Sequence, residues 1–338
     1  MMILNTANTK LRRYRERVDG QMKKILLAGE PMGLFIAQEE GPLESVSNFS
    51  AAVAGAEFNV AVGLTRLGHQ AHYLTRLGND PFGRRILNTM KANGIDTALI
   101  QMDSQRSTGF MLKGKTSHGD PAIHYFRKNS AASALSIKEV EALDFSAFDI
   151  LHMTGIFPPL SSFTMEAAEL MMKKAREAGL TVFFDPNLRP ALWPDTQTMA
   201  DCLNRLACLA DYVLPGYKEG EILMGSRDPE KIADYYLEKG AKAVIVKTGA
   251  KGAFAASRQE RIQVPTYQER EIVDTVGAGD GFACGIISGI AEGLSLRETV
   301  LRANAIGTIQ IMSVGDNEGL PTREQLDDFM AHTPLKQA

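Results

Sequence analysis

The sequence predicts an α/β fold: a doubly wound, mostly parallel sheet with helices on both faces, plus a small β-sheet lid. Three observations predict it. Short apolar runs alternate with longer segments whose apolar residues recur at helical spacing, the pattern of a parallel sheet buried on both faces. Two stretches, Leu34–Ala52 and Gly109–Phe126, break that rhythm with short alternating runs joined by turn residues such as Gly41-Pro42. Late in the chain, Gly277-Ala278-Gly279 opens an apolar helical run of Phe282, Ala283, Ile286, Ile287 and Ile290.

Taken in order, residues 1–21 are polar and aperiodic, so they are read as a tail ahead of a domain spanning 22–338. Lys24–Ala28 is the first buried strand, Asn59–Leu67 a helix and Ala71–Thr75 a strand. Pro81–Lys91 is a helix with proline early and Gly94 just beyond its end. The lid insertions occupy 34–52 and 109–126. The rhythm then resumes with strands at Ile150–Met153, Val182–Phe184, Tyr212–Leu214 and Ala243–Val246, separated by helices at Thr164–Ala178, Gln197–Leu209 and Pro229–Lys239. Sheets of this kind bind ligands beyond the carboxyl ends of their strands. Gly29-Glu30, Asp185-Pro186-Asn187 and Pro215-Gly216 each follow a strand and fall on that edge.

Composition excludes several function classes. The chain has 338 residues, 44% hydrophobic and 23% charged, with a formal net charge of −3, which suits a globular domain and offers no basic surface for nucleic acid. Cys202, Cys208 and Cys284 have neither Cys-x-x-Cys spacing nor a pairing pattern, which points to a reducing compartment rather than a disulfide or zinc framework. No apolar run reaches the length of a membrane span, and the basic N-terminal segment lacks the apolar stretch of a signal peptide. The expected setting is cytoplasmic, with no membrane partner, so the sequon Asn48-Phe49-Ser50 is discounted.

The stretch from Asp274 to Gly285 carries the chemistry. Glycines at 277, 279 and 281 leave the backbone free to turn with its N–H groups exposed. First-turn N–H groups have no partner inside a helix and lie at its positive end, so Gly277–Gly279 forms an anion hole. Asp280 then stands beside any bound phosphate. It either serves as a general base for an acceptor hydroxyl or stabilises the helix terminus as an ordinary first-turn carboxylate. A second glycine string, Gly109-Phe110-Met111-Leu112-Lys113-Gly114-Lys115-Thr116, matches the Walker A pattern letter for letter. It is rejected, because bulky strand formers replace the small loop and Ser117-His118-Gly119-Asp120-Pro121 cannot open a helix.

Asp274-Thr275-Val276-Gly277-Ala278-Gly279-Asp280-Gly281-Phe282 closely resembles the C-terminal signature of the ribokinase-like (PfkB-type) carbohydrate kinases, and similarity to that family extends over about residues 24–330. The resemblance implies a catalytic site of Asp280 as base with Gly277, Ala278 and Gly279 as anion hole, and Mg2+-ATP as phosphoryl donor; it leaves open a monovalent cation. Gly55-Ala56-Glu57-Phe58-Asn59 resembles the family's N-terminal sugar motif, and Asn59 and Glu57 suit polyol hydroxyls. Lys247-Thr248-Gly249-Ala250-Lys251-Gly252 matches the family's nucleotide loop, though it also reads as a hairpin turn, and Asn304 falls where relatives line the adenine pocket. Gly216 stands where the family usually has the Asn of Asn-x-x-Glu, while Glu219 remains as a magnesium-shell residue or a first-turn partner of the helix.

Two arginines sharpen the substrate. Arg127, after Tyr125 on a lid strand, and Arg189, after Asp185-Pro186-Asn187, resemble the carboxylate-binding arginines of the 2-keto-3-deoxygluconate kinases within that family. Arginine suits the task because its rigid fork pairs with a planar carboxylate. The same resemblance adds Met111 and Asp316, the latter in Gly315-Asp316-Asn317-Glu318-Gly319, to the sugar site. The expectation is a kinase forming a 6-phosphate on this acid sugar and assembling as a homo-oligomer through the lid. A kinase for fructose, ribose or 5-dehydro-2-deoxygluconate is the alternative, and a non-catalytic sugar or nucleotide sensor is disfavoured by the intact Asp280.

Overall fold

The structure is a computed structural model that describes residues 22–116 and 121–337. The tail read at 1–21 and the turn at 117–120 lie outside the described residues. The chain enters at β1 (Lys24–Ala28) and leaves at once for β2 (Met32–Glu40) and β3 (Phe49–Ala54). It returns through α1 (Ala56–Arg66), β4 (Gln70–Gly78), α2 (Pro81–Ala92) and β5 (Ile100–Asp103), then builds β6 (Phe110–Lys115) and β7 (Ile123–Phe126). The second half runs α3 (Ile137–Glu141), β8 (Ile150–Thr154), α4 (Ser162–Glu177), β9 (Thr181–Asp185), α5 (Thr196–Ala207), β10 (Tyr212–Val213), α6 (Tyr217–Met224) and α7 (Pro229–Glu238). It ends with β11 (Ala243–Lys247), β12 (Ala253–Ser257), β13 (Arg261–Val264), α8 (Ala278–Ala291), α9 (Leu296–Ile311) and α10 (Arg323–His332).

The main sheet has nine strands in the order β13-β12-β11-β10-β9-β8-β1-β4-β5. From β11 to β5 every pairing is parallel, and only β12 and β13 turn antiparallel at one edge. Both faces are buried, as the strand period of two requires. Ile25 and Leu27 of β1 enter one core with α1, α8 and α9, whereas Leu26 and Ala28 enter the other with α4, α5 and α7. Strand β1 lies between β8 and β4, so the order of strands reverses beside it. A crevice opens at such a switch point, beyond the carboxyl ends of β1, β9 and β11.

The four-stranded lid has the order β3-β2-β6-β7. Its central pair is parallel, Gly33 beside Phe110 through Ile36 beside Lys113, so the lid is more than two hairpins laid together. The Walker-like string is strand β6, and the Lys115 amine donates to the Gln38 carbonyl at 3.1 Å. Strand β7 leaves Ile123, Tyr125 and Phe126 exposed along the edge.

Helix α8 is fixed by close packing and by charge. A Cβ on Gly285 would lie 2.4 Å from the Ala303 Cα, so only glycine lets α8 and α9 approach this closely. At the far end of α8 the Glu292 carboxylate is buried among three partners: His69 Nε2 at 3.2 Å, Arg302 Nη2 at 2.6 Å and the Arg323 guanidinium. Burial alone would raise this carboxyl, but those bonds win and hold it down at about 2. Glu292→Gln leaves buried cations facing a neutral amide and is expected to cost about 3 kcal/mol of stability. The readout is a lower urea midpoint at unchanged slope, and an unchanged midpoint rejects the account. The sign of the pH effect follows: a depressed carboxyl stabilises fully above its unfolded value and loses that contribution as pH falls toward about 2.

Candidate active site

The glycine turn sits at the mouth of the crevice. Gly277 caps α8 with φ 77°, and Gly281 N–H donates to its carbonyl at 2.8 Å. A Cβ on Gly277 would meet the Asp316 carbonyl at 2.1 Å, so the turn needs glycine for both conformation and space. A Cβ on Gly279 would meet nothing within 4 Å, because that backbone faces open cavity. The free N–H groups of the first turn therefore point where an anion can approach.

Two cavities meet there. One, of about 390 Å3, is walled by the lid and the ends of β1 and β9. Gly55, Ala56, Glu57, Asn59, Met111, Tyr125, Arg127, Arg189, Gly277, Gly279, Asp280 and Asp316 line it, gathering most of the predicted acceptor-side residues. The other, of about 360 Å3, lies over α8 and α9 and is lined by Gly249, Ala250, Gly252, Ala278, Phe282, Asn304 and Ile311. Lys247, Thr275 and Gly279 line both. The remaining predicted positions lie elsewhere. Phe58 turns into the core, while Gly216, Thr248, Lys251 and Glu219 line neither cavity.

Asp280 is half-buried where the acceptor-side cavity reaches α8. Its carboxyl is pushed up to about 7, chiefly by burial; the Asn59 bond and Arg189 oppose the rise, and Asp185 and Asp316 add to it. Asn59 Nδ2 donates to Asp280 Oδ2 at 2.8 Å, and Asn317 Nδ2 in turn donates to Asn59 Oδ1 at 2.9 Å. The carboxylate is thus held in one orientation from α1, the helix that follows lid strand β3. At the cavity junction the Lys247 amine contacts Asp185 at 2.6 Å. Glu57, buried with its carboxyl raised by burial, accepts from Thr154 Oγ1 at 2.6 Å.

Several site residues carry no assigned role in the sequence reading, although Glu30 and Asn187 fall on the ligand-binding edge it predicts. Glu30 is buried beneath the lid, receives Arg127 Nε at 2.6 Å and accepts from the Ser130 hydroxyl. Lys113 is buried on β6 with its amine 2.8 Å from Asp274, and Asn187, Thr266 and Lys336 line the cavities. A signal for Lys113 existed: it stands two residues from Met111, on the same face of its strand. For Lys336, from the chain's end, there was none.

Nucleotide and metal can be tested against these walls. The second cavity offers apolar Ile272, Phe282 and Ile311 for a flat base and the open Gly279 backbone for phosphate, which fits a nucleoside triphosphate. Asn304 is buried there, with its amide donating to the Val264 and Pro265 carbonyls at 3.2 Å and 3.0 Å. Among the described residues no group of three His, Cys, Asp or Glu could hold a metal. Magnesium that arrives on phosphate and keeps its waters needs no such cage. Glu219 accepts from the Gly216 and Leu188 N–H groups at 2.6 Å and 2.9 Å, fastening the loop after β9 to α6.

A donor in one cavity can therefore pass an anionic group across the helix terminus to a hydroxyl in the other, with a raised carboxyl beside it. Known proteins resemble the chain in sequence and fold. The chain is 47% identical over 304 residues to a Bacillus subtilis 2-dehydro-3-deoxygluconokinase, covering 90% of this chain and 94% of the relative. A PfkB protein from a Polaromonas species superposes with TM-score 0.83 at 42% identity over 90% of this chain and 99% of that one. An E. coli chain described as a ribokinase II, in complex with ATP and Mg2+, does so with TM-score 0.83 at 27% identity over 92% and 99%. The family model for pfkB carbohydrate kinases matches residues 22–323, so this chain belongs to the pfkB family of carbohydrate kinases.

Proposed function

We propose that the protein is an ATP-dependent kinase that phosphorylates the primary hydroxyl of 2-keto-3-deoxygluconate to give the 6-phosphate. The observation that carries this reading is the Asp280 carboxyl beside a helix terminus shared by two cavities, one of them holding two arginines. Mg2+ on the nucleotide phosphates would supply charge neutralisation at the transferring group. Asn59 holds Asp280, whose carboxylate takes the proton of the acceptor hydroxyl. The hydroxyl oxygen bonds to the γ-phosphorus as the bond to the β-phosphate oxygen breaks, and ADP leaves. Backbone N–H groups of Gly277–Gly279 stabilise the charge on the transferring phosphoryl group, and Lys247 sits at the same junction.

The two arginines divide the work unevenly. Arg127 is committed to Glu30 and lies 5.7 Å over the Tyr125 ring, whereas Arg189 is exposed and, among the described residues, donates only to its neighbour's carbonyl, Leu188, at 2.9 Å. Arg189 is thus, of the two arginines, the one whose guanidinium has no carboxylate ion pair among the described residues and can receive a substrate carboxylate, with Arg127 presenting what remains of its fork. The free thiols Cys202, Cys208 and Cys284 support a cytoplasmic setting, and among the described residues no helix is long and apolar enough to cross a membrane. The open edge of strand β7, with Phe126 exposed on it, supports a second copy of the chain as partner.

Three outcomes test the proposal. Asp280→Asn keeps shape and removes the basic oxygen, so turnover should fall by roughly 10²–10⁴-fold with ATP binding retained, measured by coupled ADP release and by calorimetry. Near-normal turnover would refute the base.

In the unmodified enzyme the base works ionised, so kcat/KM should rise about tenfold per pH unit below about 7 and level off above it. A flat profile across that range removes Asp280 from the rate.

Arg189→Ala should lower kcat/KM for the acid sugar by the equivalent of about 2–5 kcal/mol and for a neutral ketose far less. Equal losses on both, or a wild type that prefers fructose, favour the neutral-sugar alternative.

A further inference from the structure

Lys113 is 5% exposed on a lid strand, where a lysine has no place unless its charge is matched. Its amine lies 2.8 Å from Asp274 Oδ2 and 3.7 Å from Asp316 Oδ1, and among the described residues neither aspartate has another ion-pair partner. Both aspartates belong to the glycine turn's surroundings. The Asp274 Oδ1 atom accepts the Val276 N–H at 3.1 Å and so shapes the turn just before Gly277. The Asp316 backbone packs against Gly277 from the other side, with its carbonyl where a Cβ would be. One lid amine therefore grips both flanks of the anion-binding turn.

We propose that Lys113 is a positioning residue that latches the β-lid to the anion-binding turn, so that seating the lid over the acceptor and shaping the phosphoryl site are a single event. This rests on the reading of Gly277–Gly279 as the phosphoryl site. Three carboxylates besides Asp274 bear on the latch: Asp316, Glu318 and Asp280. Without the amine, Asp274 and Asp316 face each other across the turn with no cation between them. The Asp316 carboxyl, already at about 6 with Lys113 holding it down, would rise further. Repulsion or protonation then frees the turn and unseats strand β6 together.

The test uses the full chain and two readouts, one of which needs no turnover. In Lys113→Met, hydrogen exchange of the 273–279 backbone should quicken about tenfold or more while β1 stays protected. Turnover should fall about tenfold or more with the KM for ATP within about twofold, since a small misplacement of the anion site is costly in rate. Lys113→Arg, which restores the charge, should recover most of the protection and part of the rate. If Lys113→Met does not fold, Asp274→Asn serves, because it keeps an oxygen for the Val276 N–H and removes the paired charge. Unchanged exchange in 273–279 overturns the latch, and lost turnover with unchanged exchange shows that Lys113 touches the substrate directly. A wild type inactive on the acid sugar would sink the proposed substrate while the exchange measurement still decides the latch.

Discussion

The site depends on one steric constraint: the chain can carry no side chain at 277. Gly277 adopts a left-handed conformation against the Asp316 carbonyl, and this lets α8 begin at the junction of two cavities with its N–H groups uncovered. A helix that began a residue later, or stood off by the width of a methyl group, would present its dipole to protein rather than to a ligand. Everything that steadies α8 preserves this placement, from the glycine contact with α9 to the buried Glu292 cluster at its far end.

Along α8 and beside its N-terminus the structure places carboxylates where burial works against their charge, and the balance of burial against partners decides each outcome. Glu292 has two arginines and a histidine, so pairing wins and the carboxyl is held low. Asp280 has an asparagine amide and a more distant guanidinium, so burial wins and the carboxyl sits near neutrality. Asp185 is buried too, and although Lys247 at 2.6 Å opposes the effect, burial still leaves its carboxyl raised. Identical chemistry in one fold thus gives a structural anion at one end of α8 and a titratable group at the other.

The sheet and its helices were legible because their signals are local. Strands β1, β4, β8, β9, β10 and β11 stand at the expected runs to within a few residues, since a doubly buried strand must be apolar on both faces. Strands β5 and β13 carried no comparable pattern, being short and at the two edges of the sheet. The rejection of the Walker-like string held because Phe110-Met111-Leu112 can form a strand and cannot wrap phosphate. The Glu30 bond to Arg127 and the Lys113 contact with Asp274 were invisible, because each joins residues from separate strings far apart in the chain. Arg127 and Arg189 looked equivalent in the sequence, and the buried glutamate that engages Arg127 and not Arg189 appears only in three dimensions.

The parallel pairing of β2 with β6 has a consequence for how the molecule comes to be. Those strands are joined only through β3, α1, β4, α2 and β5, so their alignment closes a long loop and cannot form as a local hairpin. The chain between them must already be compact before Gly33 can find Phe110. The lid is therefore the late-forming part of the N-terminal half, and a nascent chain cannot complete it until strand β6 has been synthesised. Pulse-labelled refolding would register this as amide protection of Leu112 arriving after that of Leu26.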